Sequence, residues 1–139
     1  MAVLVQVFRE VGRILRPDGT LFLVLADTYD DRGNLLGVPL SVALALKQDG
    51  WVWRDTIIRV KAEMVDNELQ GSCMPESQEN RCTRSYEFVL LLTRDPSAYF
   101  FDSDAVRSDS GAMLRSVWRI NTEPSPLPHF AMMPTLLAE

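Results

Sequence analysis

Apolar and polar positions along the first part of the chain predict a helix followed by a strand. Apolar residues recur at three- and four-residue steps over residues 3–15, which is the pattern of one face of an amphipathic helix. The sequence RPDG (16–19) predicts the end of this helix, because proline cannot continue the helical hydrogen-bond ladder. The unbroken apolar run over residues 20–26 is typical of a strand covered on both faces, as in a parallel sheet.

The next segments predict a second helix and two further strands. Residues 36–48 are apolar on nearly every side, so we expect a well-buried helix that stops at the Asp-Gly pair 49–50. Strands are predicted over residues 51–61 and 86–93, most simply as a hairpin. Residues 62–85 are then a long connecting loop, and loops of this length are usually functional or mobile.

Regular patterns fade after Pro96. The segment SAYFFDSDAVR (97–107) favours a short turn of helix, and MLRSVWRI (113–120) favours a short strand. Residues 121–139 form a proline-rich tail, which predicts an extended segment with a helical turn after Pro134. Together the segments predict one α/β domain over residues 1–139.

Composition and charge narrow the classes of function. The chain has 139 residues, of which 47% are apolar and 24% charged, and this fits a globular domain with one core. The net charge of −5 gives no overall attraction to nucleic acid, so DNA binding would need basic residues clustered on one face. No apolar run approaches the roughly 20 residues of a membrane span. The N-terminus lacks a signal-peptide cleavage site, so we expect a cytoplasmic protein.

The two cysteines do not form the pattern of a metal site. Cys73 and Cys82 lie in the same predicted loop with no histidine near them, whereas zinc needs about four ligands at characteristic spacings. Two free thiols are the simpler interpretation, and a disulfide that closes the loop is the alternative.

Four segments, taken in order, carry a resemblance to one known family: FREVGRILRPDGTLFLVLADTY (8–29), LLGVPLSVALALKQDGWVWRDTIIRVK (35–61), MPES (74–77) with RCTRSYEFVLLLT (81–93), and RSVWRI (115–120) with HFAMMP (129–134). They resemble segments of the AdoMet-dependent DNA amino-methyltransferases, which modify adenine N6 or cytosine N4. The first segment is similar to the helix and strand that follow the family's catalytic motif, and the second is similar to the next helix and strand. The third resembles the family's loop and return strand most specifically, and the fourth resembles the segment ahead of its cofactor loop.

The resemblance implies a partial Rossmann-like methyltransferase sheet, with one central strand and a C-terminal antiparallel hairpin flanked by two helices. Two motifs of the family are absent from this sequence: Asp/Ser-Pro-Pro-Tyr, which accepts the target amino group, and the Phe-x-Gly-x-Gly cofactor loop. In the family order they would precede Met1 and follow Glu139. The family's Trp-x-Lys-Pro-Asn is also replaced by Arg-Val-Lys-Ala-Glu (59–63), and residues 64–73 resemble an insertion.

The resemblance assigns roles to particular side chains. It places Asp27 and Arg59 in the pocket of the extruded base. It places four donors of the long loop against DNA, namely Lys61, Ser77, Arg81 and Arg84. It places the methionine end of AdoMet against the tail, at His129, Phe130, Ala131 and Pro134. No metal ligands are implied.

Each of these roles has a structural alternative. A strand-ending aspartate such as Asp27 commonly caps the turn that follows it. The loop arginines are equally suited to ion pairs with nearby carboxylates, namely Glu76, Glu79 and Glu87. A lone histidine between prolines, such as His129, is often an ordinary surface residue. The tryptophans favour core packing over base stacking: Trp51, Trp53 and Trp118.

Two functions from different classes are therefore expected. The first is part of a site-specific DNA methyltransferase of a restriction-modification system, inactive alone because both motifs are missing. The second is a non-catalytic DNA-binding or complementing subunit, or a gene remnant. In either case the family order leaves the strand 20–26 with an open apolar edge, so we expect self-association, most simply as a homodimer.

Overall fold

The computed structural model describes residues 1–73, 75–123 and 132–138. The elements, in chain order, are helix α1 (Ala2–Ile14), strand β1 (Thr20–Leu25), helix α2 (Val38–Gln48), strands β2 (Val52–Val60), β3 (Ala62–Val65), β4 (Glu68–Gly71), β5 (Tyr86–Thr93) and β6 (Val117–Arg119), and a 3-10 helix over Thr135–Leu137. The chain divides into two compact units. The first contains residues 1–57 and 88–116, and the second contains residues 58–87 and 117–139.

The main sheet is mixed and has the strand order β1-β5-β2-β6. Strand β1 pairs antiparallel with β5, from Thr20 opposite Thr93 to Leu25 opposite Phe88. Strand β6 pairs parallel with β2, with Arg59 opposite Trp118. The three predicted strands therefore share one sheet, and the short strand predicted near residue 117 is present.

Strand β1 differs from the fully covered, parallel-type strand that its apolar run predicts. Its partner β5 is antiparallel, and within the described residues β1 is the last strand on its side of the sheet. Phe22 in its middle is 44% exposed. The expectation of a strand covered on both faces is therefore wrong, and β1 is an edge strand composed entirely of uncharged residues.

The core of the first unit joins both helices to the sheet. Its buried side chains come from α1, α2, β5 and the residue before β2: Phe8, Val42, Ala43, Leu46, Trp51, Leu90 and Leu92. Alternate residues of β1 pack against this cluster, since successive strand side chains point to opposite faces. Burying each large apolar side chain contributes about 1.5–3 kcal/mol, so this shared cluster is what holds the helices on the sheet. Trp51 is in the core, as predicted.

The long loop predicted over residues 62–85 begins instead with a hairpin, the antiparallel pair β3–β4. Its two-residue turn is formed by Asp66 (φ 51°) and Asn67 (φ 65°). Both lie in the left-handed region, which short polar side chains tolerate and which the tightest hairpin turns require. The Asp-Asn pair is the sequence signal that could have revealed this hairpin. Residues 72–85, here named the arginine loop, contain no helix or strand among those described.

The other predictions concern two helical turns, the cysteines and membrane-spanning helices. The helical turn expected after Pro134 is the 3-10 helix Thr135–Leu137. The segment 97–107 forms turns rather than a helix: the longer turn covers residues 103–106, and Arg107 forms an isolated bridge with Met113. Cys73 and Cys82 are free thiols, so the disulfide alternative is not formed. Within the described residues, no helix has the length and apolar character needed to cross a membrane.

Candidate functional site

A charge cluster in the second unit combines Arg59, Lys61 and Glu87. Arg59 lies near the end of β2 and Lys61 directly follows the strand, and both side chains reach Glu87. Arg59 Nη1 lies 2.6 Å from Glu87 Oε2, and Lys61 Nζ lies 3.2 Å from Glu87 Oε1. One carboxylate therefore pairs with two cations, and the side chain of Arg59 is only 3% exposed.

Arg59 also binds the backbone of the segment that follows β6. Its Nε donates to the carbonyl of Ile120 at 3.0 Å, and its Nη2 donates to the carbonyl of Asn121 at 3.1 Å. The guanidinium thus joins one carboxylate and two carbonyls. A direct contact between Arg59 and an extruded base, as the resemblance implies, would require these bonds to be broken or shared.

The arginine loop contains an internal ion pair between Arg81 and Glu76. Arg81 donates from Nε at 3.1 Å and from Nη2 at 3.2 Å to the two carboxylate oxygens of Glu76. The hydrogen bond from Arg81 lowers the pKa of Glu76 below its usual value, against the opposing effect of partial desolvation. This pair is the structural alternative that the sequence offered for Arg81. Ser77 is exposed, and Arg84 is half-buried.

The β3–β4 hairpin differs from the arginine loop in charge. It carries three carboxylates, at Glu63, Asp66 and Glu68, and no lysine or arginine. Met64 and Leu69 face each other across the strands and are 65% and 64% exposed. Glu63 pairs with Arg119 at 2.8 Å. The cationic side chains of residues 62–85, Arg81 and Arg84, therefore both lie after the hairpin.

Asp27, in the first unit, caps helix α2. The helix begins after Gly37, which has no side chain with which to cap it. Asp27 Oδ1 instead accepts the N–H of Val38 at 2.9 Å, and Oδ2 accepts the N–H of Gly37 at 3.1 Å. Oδ1 also accepts the N–H of Thr28 at 2.9 Å. The carboxylate thus accepts N–H groups at the start of a helix ten residues further along the chain. The capping alternative for Asp27 therefore extends beyond the adjacent turn to the start of α2.

Two described residues of the tail, Glu123 and Thr135, are hydrogen-bonded to each other. Glu123 Oε1 accepts the N–H of Thr135 at 3.2 Å and the hydroxyl of Thr135 at 2.8 Å. Of the residues expected to bind the cofactor, Pro134 is described and is buried, and the other three lie outside the described residues: His129, Phe130 and Ala131. Pro134 has no polar side-chain atom.

Two acidic residues of this region are not predicted from the sequence in the roles they have, Glu87 and Glu123. The sequence predicts Glu87 as a partner of the loop arginines, whereas its partners are Arg59 and Lys61. The spacing of two cations, Arg59 and Lys61, is the signal that could have indicated a shared acid. Nothing in the sequence near Glu123 marks a contact twelve residues away. No group of three metal-ligating side chains occurs among the described residues.

Comparisons with known proteins agree on one family. The family model described as DNA methylase, of the N6/N4 class, matches residues 1–138. The type II methyltransferase M.SmaI of Serratia marcescens is 34% identical over 97% of this chain and 54% of its own length. M.Cfr9I of Citrobacter freundii, also a type II methyltransferase, is 35% identical over 96% of this chain and 52% of its own length.

A solved structure shares the fold. It is TTHA0409 from Thermus thermophilus, described as a DNA modification methylase, with a TM-score of 0.59 and 22% identity. The match covers 86% of this chain and 50% of that chain. In sequence and in structure alike, the chain spans about half the length of the relatives it matches.

Proposed function

Because the chain belongs to the N6/N4 DNA methylase family, we propose that it is the base-side part of a site-specific DNA methyltransferase. The family match over residues 1–138 is the observation that carries this proposal. In the intact family AdoMet supplies the methyl group, which passes to the exocyclic amino group of cytosine (N4) or adenine (N6). This chain contributes the sheet that supports the base and the loop that holds the DNA strand.

The arginine loop and the end of β2 form the DNA-contacting surface, through Lys61, Ser77, Arg81 and Arg84. Support comes from the geometry of the Arg81–Glu76 pair. A guanidinium that already holds two carboxylate oxygens presents the same fork to two phosphate oxygens. Glu76 then acts as a stand-in for phosphate that DNA displaces. The acidic β3–β4 hairpin is unsuited to this role because phosphate repels its three carboxylates.

In this proposal Asp27 and Arg59 each act by holding backbone of their own unit rather than by touching the base. Asp27 fixes the start of α2 at the end of β1, which is the carboxyl edge where open α/β sheets bind ligands. Arg59 fixes the residues after β6. Both side chains use their polar atoms on the protein, which supports an indirect role for each of them.

DNA binding by the loop can be measured directly. Fluorescence anisotropy with a short duplex at low salt should show weak binding that Arg81→Ala reduces at every DNA sequence tested. The slope of log affinity against log salt should fall by about 1 for one lost phosphate contact. Arg13→Ala on α1, which removes an exposed arginine paired with Glu10, is the matched control. Equal losses for both variants would show that only bulk charge matters.

A second candidate function is a non-catalytic subunit that complements a partner polypeptide, or the product of a gene remnant. The two functions can be distinguished by the motifs that the neighbouring reading frames encode. Adjacent reading frames that encode Asp/Ser-Pro-Pro-Tyr upstream and Phe-x-Gly-x-Gly downstream indicate a divided enzyme. Their absence indicates a remnant or a binding module.

A further inference from the structure

From the geometry of its contacts we infer that Arg59 is a positioning residue, which holds the backbone of residues 117–121 against β2. This segment leads from β6 into the tail. The inference concerns contacts within the second unit, and only its last step rests on the proposed function.

The pairing of β6 alone is too short to fix this segment. Strand β6 has three residues and pairs parallel with the end of β2, from Ile58 opposite Val117 to Val60 opposite Arg119. One further backbone bond, from the Ile120 N–H to the Val60 carbonyl at 3.1 Å, extends the pairing. Typical strands have about five or six residues, and parallel pairs are slightly less stable per residue than antiparallel ones.

Arg59 supplies the missing support where the strand ends. Its Nε and Nη2 donate to the consecutive carbonyls of Ile120 and Asn121, at 3.0 and 3.1 Å. Its Nη1 is fixed by Glu87 at 2.6 Å, and Glu87 is held in turn by Lys61. The planar fork of a guanidinium fits two successive carbonyls and a carboxylate at once, whereas a lysine ammonium is a single point charge.

Neighbouring contacts show that the segment is held at several points, so its position is defined. Arg119 pairs with Glu63 on β3 at 2.8 Å. The Asn121 side chain lies so close to Gly71 that a Cβ at position 71 would meet its Oδ1 at 2.9 Å. Two residues further on, Glu123 binds Thr135. Arg59 is the buried member of this set and holds the backbone itself.

The functional consequence follows from the proposed function. The resemblance places contacts with the methionine end of AdoMet in the tail, so the direction in which the chain enters the tail matters for the geometry of the site. Arg59 then acts on the site through residues 120 and 121, without touching a base or the cofactor.

Hydrogen exchange on the full chain tests this assignment. Arg59→Lys keeps the positive charge but loses the fork, so amide exchange over residues 117–121 should speed up by about tenfold or more, the effect of losing a hydrogen bond to a charged group. Arg54→Lys is the control, because it makes the same change on the same strand, where Arg54 stacks over Tyr99 at 5.2 Å. It should leave residues 117–121 unchanged.

Local and global effects separate the outcomes. Arg59→Lys could lower the melting temperature while the ratio of the exchange rates of residues 117–121 to those of the core strands stays at its wild-type value. In that case Arg59 only stabilises the fold as a whole, and the inference is overturned. Should Arg59→Lys fail to fold, Glu87→Gln serves, since it loosens the anchor of Arg59 and should speed the same amides less strongly. Because exchange needs neither DNA nor AdoMet, loss of the proposed function leaves this result standing.

Discussion

At the scale of single residues, charged side chains in this protein stabilise backbone that secondary structure leaves unsatisfied. Asp27 accepts the N–H groups of Gly37 and Val38 at the start of α2, and Arg59 donates to the carbonyls of Ile120 and Asn121. Groups with one charge and several hydrogen-bonding atoms suit this task, because bonds to charged groups are the stronger ones. The charged groups of these two side chains therefore bind mainly backbone groups of the protein itself.

Removing the cap of α2 should weaken the fold measurably. Asp27→Ala leaves the first N–H groups of the helix without their acceptor and should lower the free energy of unfolding by about 1 kcal/mol in urea titrations. Asp31→Ala, at an exposed position in the same connecting turn, should change it by much less. Equal effects of the two substitutions would contradict the capping role.

At the scale of elements, the two helices are joined by apolar packing and by one ion pair. Arg9 of α1 donates from Nε to both carboxylate oxygens of Asp49, at 2.8 and 3.0 Å, directly after the end of α2. The Asp49 side chain is 11% exposed, whereas Arg9 is largely in solvent. The hydrogen bond from Arg9 holds the pKa of Asp49 below its usual value.

This pair makes part of the stability depend on acid. Since the pKa of Asp49 is lowered in the folded state, its contribution is fully present above the ordinary aspartate pKa of about 3.9 and is lost as pH falls through the lower folded value. Arg9→Gln should therefore melt below wild type at pH 7, and the difference should shrink as pH falls toward about 2. A difference that stays constant over this range would show that the pair is not its source.

The edge strand β1 predicts association between copies of the chain. It presents six uncharged residues with no proline, and charge and proline are devices that protect natural edges. Sedimentation velocity should show a concentration-dependent dimer that Phe22→Lys shifts toward monomer. Leu69→Lys changes a similarly exposed apolar residue on the hairpin and should leave association unchanged. A clean wild-type monomer at high concentration would rule out the homodimer.

At the scale of the whole molecule, sequence patterns predicted the positions of the helices and strands better than they predicted which strands pair with each other. Both helices and the strands β1, β2 and β5 lie close to their predicted positions, because their periodicity is a local property. The strand that pairs with β1 cannot be predicted from its own residues, because an apolar run has the same pattern in a central strand and in an edge strand. The β3–β4 hairpin was missed because its strands are four residues long and mostly exposed, which leaves almost no apolar alternation.

The candidate site was less predictable, for a related physical reason. The sequence identified Arg59, Lys61 and Arg81 as notable cations, yet it could not decide between DNA and a carboxylate of the same chain as their partner. That choice depends on which acids the fold brings within about 3 Å. Glu87 and Glu76 occupy those positions, and their roles follow from the packing of β2, β5 and the arginine loop.

The chain alone should not bind AdoMet. We expect calorimetric titration to give no measurable heat of binding, because the residues that hold the cofactor in the family are supplied by motifs that this sequence lacks. The control titration uses a full-length type II methyltransferase under the same conditions. A dissociation constant in the micromolar range for this chain would contradict the expectation that it does not hold the cofactor alone.

The turn of the β3–β4 hairpin has a practical use. Asp66 and Asn67 sit at the tip of a ribbon whose second strand is exposed along its whole length. Foreign residues are best tolerated at exposed tips with small polar residues, where no buried backbone bond is disturbed. An epitope or a fluorescent reporter grafted between these two residues would therefore let the protein be followed in a cell without altering its core.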